Sequence, residues 1–274
     1  MTGLALPLTA RRLPILAELL ERQRNLALYG LALILLAPAV IALQAVDPRT
    51  LHGTGLWVKP AKFFLSAGVF ALTAAWFWGY VRPERRDRPV MRWTARALIA
   101  SASFELLYIG LQAARGMDSH FNTSSAFHIA MYALMGVAAV VLTTTTLPLA
   151  WEIARRPQAG LSRDFTAAVA VGLVLTFLLG AGFGGYMSAQ PGHSVGVEGG
   201  RTFFFGWNRT GGDLRIAHFL GIHAEQAMPL LASLVAGWGV RTRWAALGAG
   251  TAAYVALSLA VFLQAVAGRP LLPL

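Results

Sequence analysis

The chain has 274 residues, of which 56% are hydrophobic and only 13% are charged, and its formal net charge is +11. Soluble domains carry about a quarter charged residues, so this composition excludes a disordered chain and argues against a water-soluble fold. The chain contains no cysteine, which excludes a disulfide scaffold and a zinc–thiolate module.

Residues 1–24 form the first predicted element. Their leucines recur at helical spacing among glutamate and arginine residues, as in an amphipathic helix that lies on a membrane surface. The apolar stretch after Arg11 and Arg12 is too short for a signal peptide. Two interpretations stay open for this segment: an amphipathic helix on the cytoplasmic surface and a frayed tail.

Seven windows of mostly apolar residues follow, each with about the 20 residues that a bilayer-spanning helix needs. Charged and turn-forming residues, such as those of Arg82–Pro89, separate them. The sequence therefore predicts an all-α integral membrane protein with one seven-helix membrane domain over residues 25–268. The predicted spans are Asn25–Val46, Val58–Val81, Trp93–Ala114, Ala126–Ala150, Phe165–Ser188, Ile216–Gly239 and Ala245–Gly268.

The basic residues predict the orientation of these spans. With a cytoplasmic N-terminus, 15 of the 23 Lys and Arg residues fall on the cytoplasmic side, where such residues are in excess. The C-terminus is then periplasmic, in the inner membrane of a bacterium, for which this Ala-, Arg- and Leu-rich composition is typical. This polarity, and the lack of a lysine in the last span, argue against a rhodopsin. The eight basic residues on the periplasmic side are Arg49, Lys59, Lys62, Arg115, Arg201, Arg209, Arg215 and Arg269.

Four predicted spans carry polar side chains in helical register. Ionisable side chains within a span are costly and are therefore functional candidates. Glu105 and Glu225 lie about 13 to 14 Å from the periplasmic ends of their spans at 1.5 Å per residue. We expect the four polar faces to line one cavity that opens to the periplasm. The polar residues are Lys59, Lys62 and Ser66 in the second span, Ser101, Glu105, Tyr108, Gln112 and Arg115 in the third, His128 and Tyr132 in the fourth, and His218, His223, Glu225 and Gln226 in the sixth.

Glu105, Glu225 and Lys62 are the predicted catalytic residues. A carboxyl group in apolar surroundings suits acid–base chemistry on a lipid or a quinone-like molecule, and Lys62 supplies a charge partner. Another interpretation stays open for the lysines near Trp57, because lysines and tryptophans also anchor helices at the membrane interface.

All six histidines fall on the predicted periplasmic side. Neutral imidazole binds Fe, Cu or Zn, and no thiolate ligand is available in this chain. His128 and His223 are the predicted cofactor ligands, which would hold a non-covalent haem. The alternative is that buried histidines only bridge helices through hydrogen bonds. The candidate metal ligands are His120, His128, His218 and His223.

Two further segments allow contrasting interpretations. The loop Gln190–Arg215 is either a periplasmic lid over the cavity or an interfacial segment held by the aromatic run Phe203–Trp207. The sequence from Gly180 to Gly185 matches a dinucleotide-binding pattern but lies in a predicted membrane span. Gly180 and Gly184 instead fit close helix packing.

Three segments carry a resemblance to known proteins. They are Trp57–Phe63 (WVKPAKF), Gln112–Gly116 continuing to Ser119–Asn122 (QAARG and SHFN), and Gly212–Arg215 with His218–His223 (GDLR and HFLGIH). In these segments the chain resembles an uncharacterised bacterial family of multi-spanning inner-membrane proteins. The resemblance covers most of the second to sixth spans. It implies that these spans form one unit, and it implies no activity.

Three classes of function remain. The first is a metal- or haem-binding membrane redox protein, or an enzyme, that acts on a lipophilic small molecule. The second is a proton-coupled transporter or channel, although no inverted repeat or pair of broken helices is visible in the sequence. The third is a non-catalytic assembly factor or membrane sensor. The expected partners are the lipid bilayer and a lipophilic molecule, and a nucleic acid is not expected.

Overall fold

The computed structural model describes residues 14–203 and 205–273 and is 71% helical. Most of the predicted segment 1–24, and Phe204 of the predicted aromatic run, lie outside the described residues. The chain divides into two compact units. We call them the N-unit, described over residues 14–159, and the C-unit, described over residues 160–203 and 205–273.

The N-unit contains seven α-helices, a 3-10 turn and a two-stranded antiparallel hairpin within its described residues. In chain order these elements are α1 (Ile15–Arg22), α2 (Arg24–Ala42), the 3-10 turn (Leu43–Ala45), β1 (Thr50–Leu51), β2 (Thr54–Gly55), α3 (Val58–Trp78), α4 (Pro83–Arg86), α5 (Pro89–Ala114), α6 (Ala126–Thr144) and α7 (Thr146–Arg155).

The described C-unit contains five α-helices, a π-helical turn and one pair of short antiparallel strands. In chain order these elements are α8 (Arg163–Leu175), the π-helical turn (Thr176–Ala181), α9 (Gly182–Ser188), β3 (Ser194–Val195), β4 (Gly212–Asp213), α10 (Leu214–Ile222), α11 (Ala224–Leu234) and α12 (Val240–Val266).

Six helical segments in the described part of the chain are long and apolar enough to cross a membrane. They correspond to six of the seven predicted spans, and they make the chain a multi-pass helical membrane protein. The segments are Arg24–Ala45, Val58–Trp78, Pro89–Ala114, Ala126–Arg155, Arg163–Ser188 and Val240–Val266.

The predicted sixth span differs, because it is divided between α10 and α11 at His223. Backbone groups on both sides of the break bond to distant residues. The Glu225 N–H donates to Thr176 Oγ1 at 3.0 Å, and the Leu220 carbonyl accepts from the Tyr254 hydroxyl. Neither α10 nor α11 has the roughly 20 residues that cross a bilayer alone. Seven spans therefore stay a prediction.

Glycines allow close helix packing in both units. In the N-unit, a Cβ atom on Gly30 would lie 2.9 Å from the Gly68 carbonyl oxygen, so α2 and α3 approach closely there. In the C-unit, a Cβ atom on Gly184 would lie 3.0 Å from His218 Cε1. A Cβ atom on Gly221 would lie 2.8 Å from the Gly180 nitrogen. Gly180 and Gly184 thus lie at a helix contact, as the small-residue interpretation predicts.

Candidate functional site

The predicted site residues fall into both units. Lys62, Glu105, His120 and His128 belong to the N-unit, and His218, His223 and Glu225 belong to the C-unit. Each unit has its own polar cluster, so one cavity shared by four spans stays a prediction.

The first cluster lies along one face of α5. Glu105, Tyr108 and Gln112 are spaced by three and four residues, and their side chains are buried. Within the described chain, Glu105 Oε1, the Tyr108 hydroxyl and Gln112 Oε1 are buried without a hydrogen-bond partner. His128 Nε2, at the start of α6, is buried without a partner as well. We call Glu105, Tyr108, Gln112 and His128 the α5–α6 site.

The loop between α5 and α6 joins Gln112 to His128 through hydrogen bonds. The Asp118 carbonyl accepts from Gln112 Nε2 at 3.1 Å and from Asn122 Nδ2 at 3.0 Å. Asn122 Oδ1 accepts from the Ser124 N–H at 3.1 Å and from the Ser124 hydroxyl at 2.7 Å. Because a carbonyl only accepts and a backbone N–H only donates, these contacts determine the orientation of both side-chain amides.

The same network favours one position for the ring hydrogen of His128. The Ser124 hydroxyl hydrogen points to Asn122, yet Ser124 Oγ lies 3.1 Å from His128 Nδ1. A hydrogen bond between them requires the hydrogen to be on Nδ1. Ser125 Oγ lies 2.8 Å from the same nitrogen and also accepts the His128 backbone N–H, which caps α6. With the hydrogen on Nδ1, Nε2 of the neutral ring carries a lone pair.

Lys59 and His120 lie at the same end of the N-unit. The Lys59 amine donates to Ser119 Oγ at 2.8 Å and lies 3.2 Å from His120 Nδ1. A protonated amine only donates, so His120 Nδ1 accepts and the neutral ring carries its hydrogen on Nε2. This arrangement disfavours His120 as a metal ligand, because neither nitrogen has an available lone pair. The positive charge of Lys59 also interacts electrostatically with Glu105. Lys62 lies one turn further along α3 and is half-buried.

The second cluster surrounds the break between α10 and α11. His218 Nδ1 lies 3.0 Å from the Gly180 carbonyl and therefore carries a hydrogen. His223 Nδ1 lies 3.2 Å from Gln226 Oε1, while Gln226 Nε2 donates to Glu225 Oε1 at 2.8 Å. Both neutral rings therefore have a lone pair on Nε2. Glu225 is almost fully buried, with 1% of its surface exposed.

The loop Gln190–Arg215 is held by aromatic contacts with α10. Phe205 stacks on Trp207 with ring centres 4.3 Å apart, and both rings contact Phe219. Phe219 in turn lies against His223, with ring centres 4.2 Å apart. The loop thus reaches the second cluster within the C-unit, and both the lid and the interfacial interpretation of this segment remain.

Asp213 and Arg215 pair with each other within this loop. Arg215 Nε donates to Asp213 Oδ1 at 2.9 Å, and the Asn208 N–H donates to Asp213 Oδ2 at 2.8 Å. Burial opposes ionisation of Asp213, but the hydrogen bonds and the Arg215 charge hold its pKa below the usual range. Burial and the nearby Arg215 charge lower the pKa of His193 to about 4.

A metal site formed by the predicted histidines is not supported. Among the described residues, no group of three or more His, Asp or Glu side chains is placed to hold one metal ion. His120 and His128 belong to one unit, and His218 and His223 to the other. Haem ligation by His128 and His223 stays a prediction.

Ser124 and Ser125 are site residues that the polar faces of the predicted spans do not include, and Lys59 is on such a face but is not one of the predicted catalytic residues. A signal for the serines was present. Ser125 precedes an apolar run in the position of a helix cap, and Asn122 two residues before Ser124 is typical of a side-chain-supported turn. The contact of Lys59 with Ser119 joins residues 60 positions apart, and no local pattern indicates it.

Comparison with family models, with curated protein sequences and with solved structures finds no match. The resemblance of Trp57–Phe63 and the other two segments to an inner-membrane family therefore stays a prediction. The function is inferred from the residues of this chain.

Proposed function

We propose that the chain is a seven-span bacterial inner-membrane protein that binds the polar head of a lipophilic small molecule at the α5–α6 site and exchanges a proton with it. In this proposal the N-terminus is cytoplasmic, the C-terminus is periplasmic, and α10 and α11 together form the sixth span. The observation that carries the proposal is the set of four buried polar atoms without a partner: Glu105 Oε1, the Tyr108 hydroxyl, Gln112 Oε1 and His128 Nε2.

The energetic cost of these atoms supports a bound molecule. A buried polar atom without a hydrogen-bond partner costs about 1 to 3 kcal/mol, so four such atoms cost several kcal/mol. Typical protein stabilities are only about 5 to 15 kcal/mol, and buried polar groups are usually satisfied. A ligand that pairs with the four atoms would recover much of this free energy.

The surroundings of the α5–α6 site favour a molecule that comes from the bilayer. Tyr108, Ile109 and Met135 form an apolar cluster between α5 and α6. The opposite face of α5 carries Leu107 and Leu111, which are 73% and 54% exposed and apolar, as expected of a lipid-facing surface. A polar site enclosed by apolar side chains suits a ligand with an apolar tail and a polar head.

Glu105 and His128 are the groups that would exchange a proton. His128 Nε2 has a lone pair that can accept a hydrogen, and the Glu105 carboxyl can donate or accept one. Lys59 supplies the positive charge that acts on Glu105. We assign the role of charge partner to Lys59 beside the predicted Lys62.

Ligand binding to the purified full chain in nanodiscs tests this function. We expect decylubiquinol to quench the fluorescence of the 8 tryptophans and to bind about tenfold more weakly to Glu105→Gln and to His128→Ala. Glu105→Gln removes the carboxyl group that exchanges the proton, and His128→Ala removes one buried hydrogen-bond partner. Gln158→Leu is the matched control, since Gln158 Oε1 is also buried without a partner but lies in the loop after α7. Equal affinity in all four proteins would contradict the proposal.

The metal or haem form of this function has its own test. Stoichiometric Fe, Cu or Zn, or a Soret band, that is lost in His128→Ala and His223→Ala would support a cofactor at these histidines. If both variants keep the metal or the Soret band, residues other than His128 and His223 bind the cofactor.

A proton-coupled transporter is the second candidate, and the broken helix at His223 favours it. Interrupted helices form substrate and ion sites in many transporters, and π-helical turns are common at functional sites. In the C-unit such a break and such a turn meet beside the buried Glu225. In proteoliposomes, Glu225→Gln and Glu105→Gln should each lower proton flux, and unchanged flux in both would exclude the relay. If alanine at His128 and at His223 leaves a cellular phenotype unchanged, an assembly factor or sensor is favoured instead.

A further inference from the structure

We propose that the head group bound at the α5–α6 site is a hydrogen-bond donor that carries at least two hydroxyl groups, as a quinol or a diol does. Carbonyl, carboxylate and phosphate head groups are then rejected. This inference rests on the proposed function and narrows it, because the hydrogen-bond network determines the role of Gln112 Oε1 and favours one role for His128 Nε2.

Gln112 presents an acceptor. Its amide nitrogen donates to the Asp118 carbonyl at 3.1 Å, and the opposite amide orientation would place two oxygen atoms against each other. Gln112 Oε1 is therefore the atom that is buried without a partner. A side-chain amide oxygen only accepts, so a ligand must bring a donor to it.

His128 presents a second acceptor. Asn122 Oδ1 takes the Ser124 hydroxyl hydrogen, so Ser124 Oγ can bond to His128 Nδ1 only as an acceptor. Ser125 Oγ can accept from or donate to the same nitrogen. We assign the hydrogen to Nδ1, because only this position lets both serines bond to the ring. This leaves a lone pair on the buried Nε2. Because Gln112 and Asn122 share the Asp118 carbonyl, both acceptors are set by one network.

The remaining two groups adapt to the ligand. The Tyr108 hydroxyl donates or accepts, and so does the Glu105 carboxyl, depending on its protonation. A head group with acceptors only would face the lone pairs of Gln112 Oε1 and His128 Nε2 and leave both atoms unpaired. An anionic head would also add like charge beside an ionised Glu105. Two hydroxyl donors satisfy both acceptors.

Three matched ligands separate these cases. Decylubiquinol carries two hydroxyl donors, decylubiquinone carries two carbonyl acceptors, and the dimethyl ether of the quinol keeps the ring without a donor. We expect the quinol, kept reduced under argon, to bind the nanodisc-embedded chain at least tenfold more tightly than the other two. Equal or tighter binding of the quinone or the ether would overturn this inference and leave the proposed function in place. No binding of any of the three would overturn the proposed function itself.

Variants test whether Gln112 Oε1 is responsible for the preference for quinol over quinone. Gln112→Leu should reduce the preference for quinol over quinone by about tenfold while the affinity for the quinone changes little. Gln158→Leu should leave the preference unchanged, because Gln158 lies in the loop after α7. An unchanged preference in Gln112→Leu would contradict the assignment of Gln112 Oε1 as a ligand acceptor.

A measurement without ligand checks the second acceptor. Nitrogen-15 NMR of histidine-labelled protein, assigned with His128→Ala, should show a neutral His128 ring with its hydrogen on Nδ1. A hydrogen on Nε2 would overturn the inference even if the protein folds and binds quinol.

Discussion

Glu152 and Glu105 are two buried glutamates of the N-unit with opposite surroundings. Glu152 on α7 accepts two hydrogen bonds from Arg85, at 3.0 and 2.6 Å, and lies 3.5 Å from Arg156. Glu105 lies about 24 Å from the first residue of α5 at 1.5 Å per residue, and its Oε1 atom is buried without a partner. Both residues are less than 10% exposed, so burial alone does not distinguish them.

Arg22 is a second charged group with several partners, at the same end of the N-unit as Glu152. Its guanidinium bonds to Glu18 and to the Trp76 carbonyl at 2.6 Å each, and it lies over the Trp76 ring. A Cβ atom on Gly79 would come within 2.5 Å of it. The charged groups at this end serve to hold helices together. At the other end, four unpaired polar atoms make packing a poor explanation, and the difference indicates where a ligand binds.

The largest effect on stability is expected from removing the carboxylate of Glu152. Glu152→Ala leaves Arg85 and Arg156 without their carboxylate, which should lower the free energy of unfolding by about 3 kcal/mol. Unfolding in mixed detergent micelles, followed by circular dichroism, measures this change. A loss below about 1 kcal/mol would remove the contrast between the two glutamates.

Glu105→Leu should act in the opposite direction. It replaces a carboxyl group whose Oε1 atom is buried without a partner by an apolar side chain, so we expect the free energy of unfolding to rise by about 2 kcal/mol. Binding of decylubiquinol should be lost in the same protein, as in other exchanges of function for stability. Glu152→Leu is the matched control, and it should destabilise. A destabilised Glu105→Leu would show that Glu105 also has a structural role.

The C-unit loop contains a titratable group whose pKa is strongly shifted. His193 lies near Asp213, Arg215, Glu198 and Arg201, and its pKa is lowered to about 4. The folded state therefore binds a proton less readily than the unfolded state, and stability falls as the pH decreases from about 6.5 to about 4. We expect a loss of about 1 to 2 kcal/mol over this range for the partly buried ring. Hydrogen exchange of Gln190–Arg215 measures it, and His193→Gln should flatten the dependence.

The smallest effect is expected at Arg22. Arg22→Lys keeps the charge but loses the planar contact with Trp76 and one of the hydrogen bonds, at a cost of about 1 kcal/mol. Thermal unfolding in detergent measures this change. A larger loss of unfolding free energy than in Glu152→Ala would show that the contacts of α1 stabilise this end of the N-unit more than those of α7.

Part of the site was predictable because it depends on one helix. The spacing of Glu105, Tyr108 and Gln112 places them on one face of any α-helix, whatever surrounds it. The choice between Lys59 and Lys62 was not predictable, because it depends on Ser119 and His120 in a distant loop. The hydrogen position that we assign on His128 likewise depends on Asn122, Ser124 and Ser125, whose side-chain orientations are a property of the folded loop.

The sequence by itself determined a multi-pass helical membrane protein and six of its long helices. Apolar stretches of about 20 residues have no other stable form in lipid, because every backbone polar group must be satisfied within the segment. Only the tertiary structure decided the break at His223 and the unpaired atoms of the α5–α6 site. The Glu225 N–H finds its acceptor on Thr176, 49 residues earlier in the chain. A hydrogen bond of that kind depends on packing, which local helical spacing does not encode.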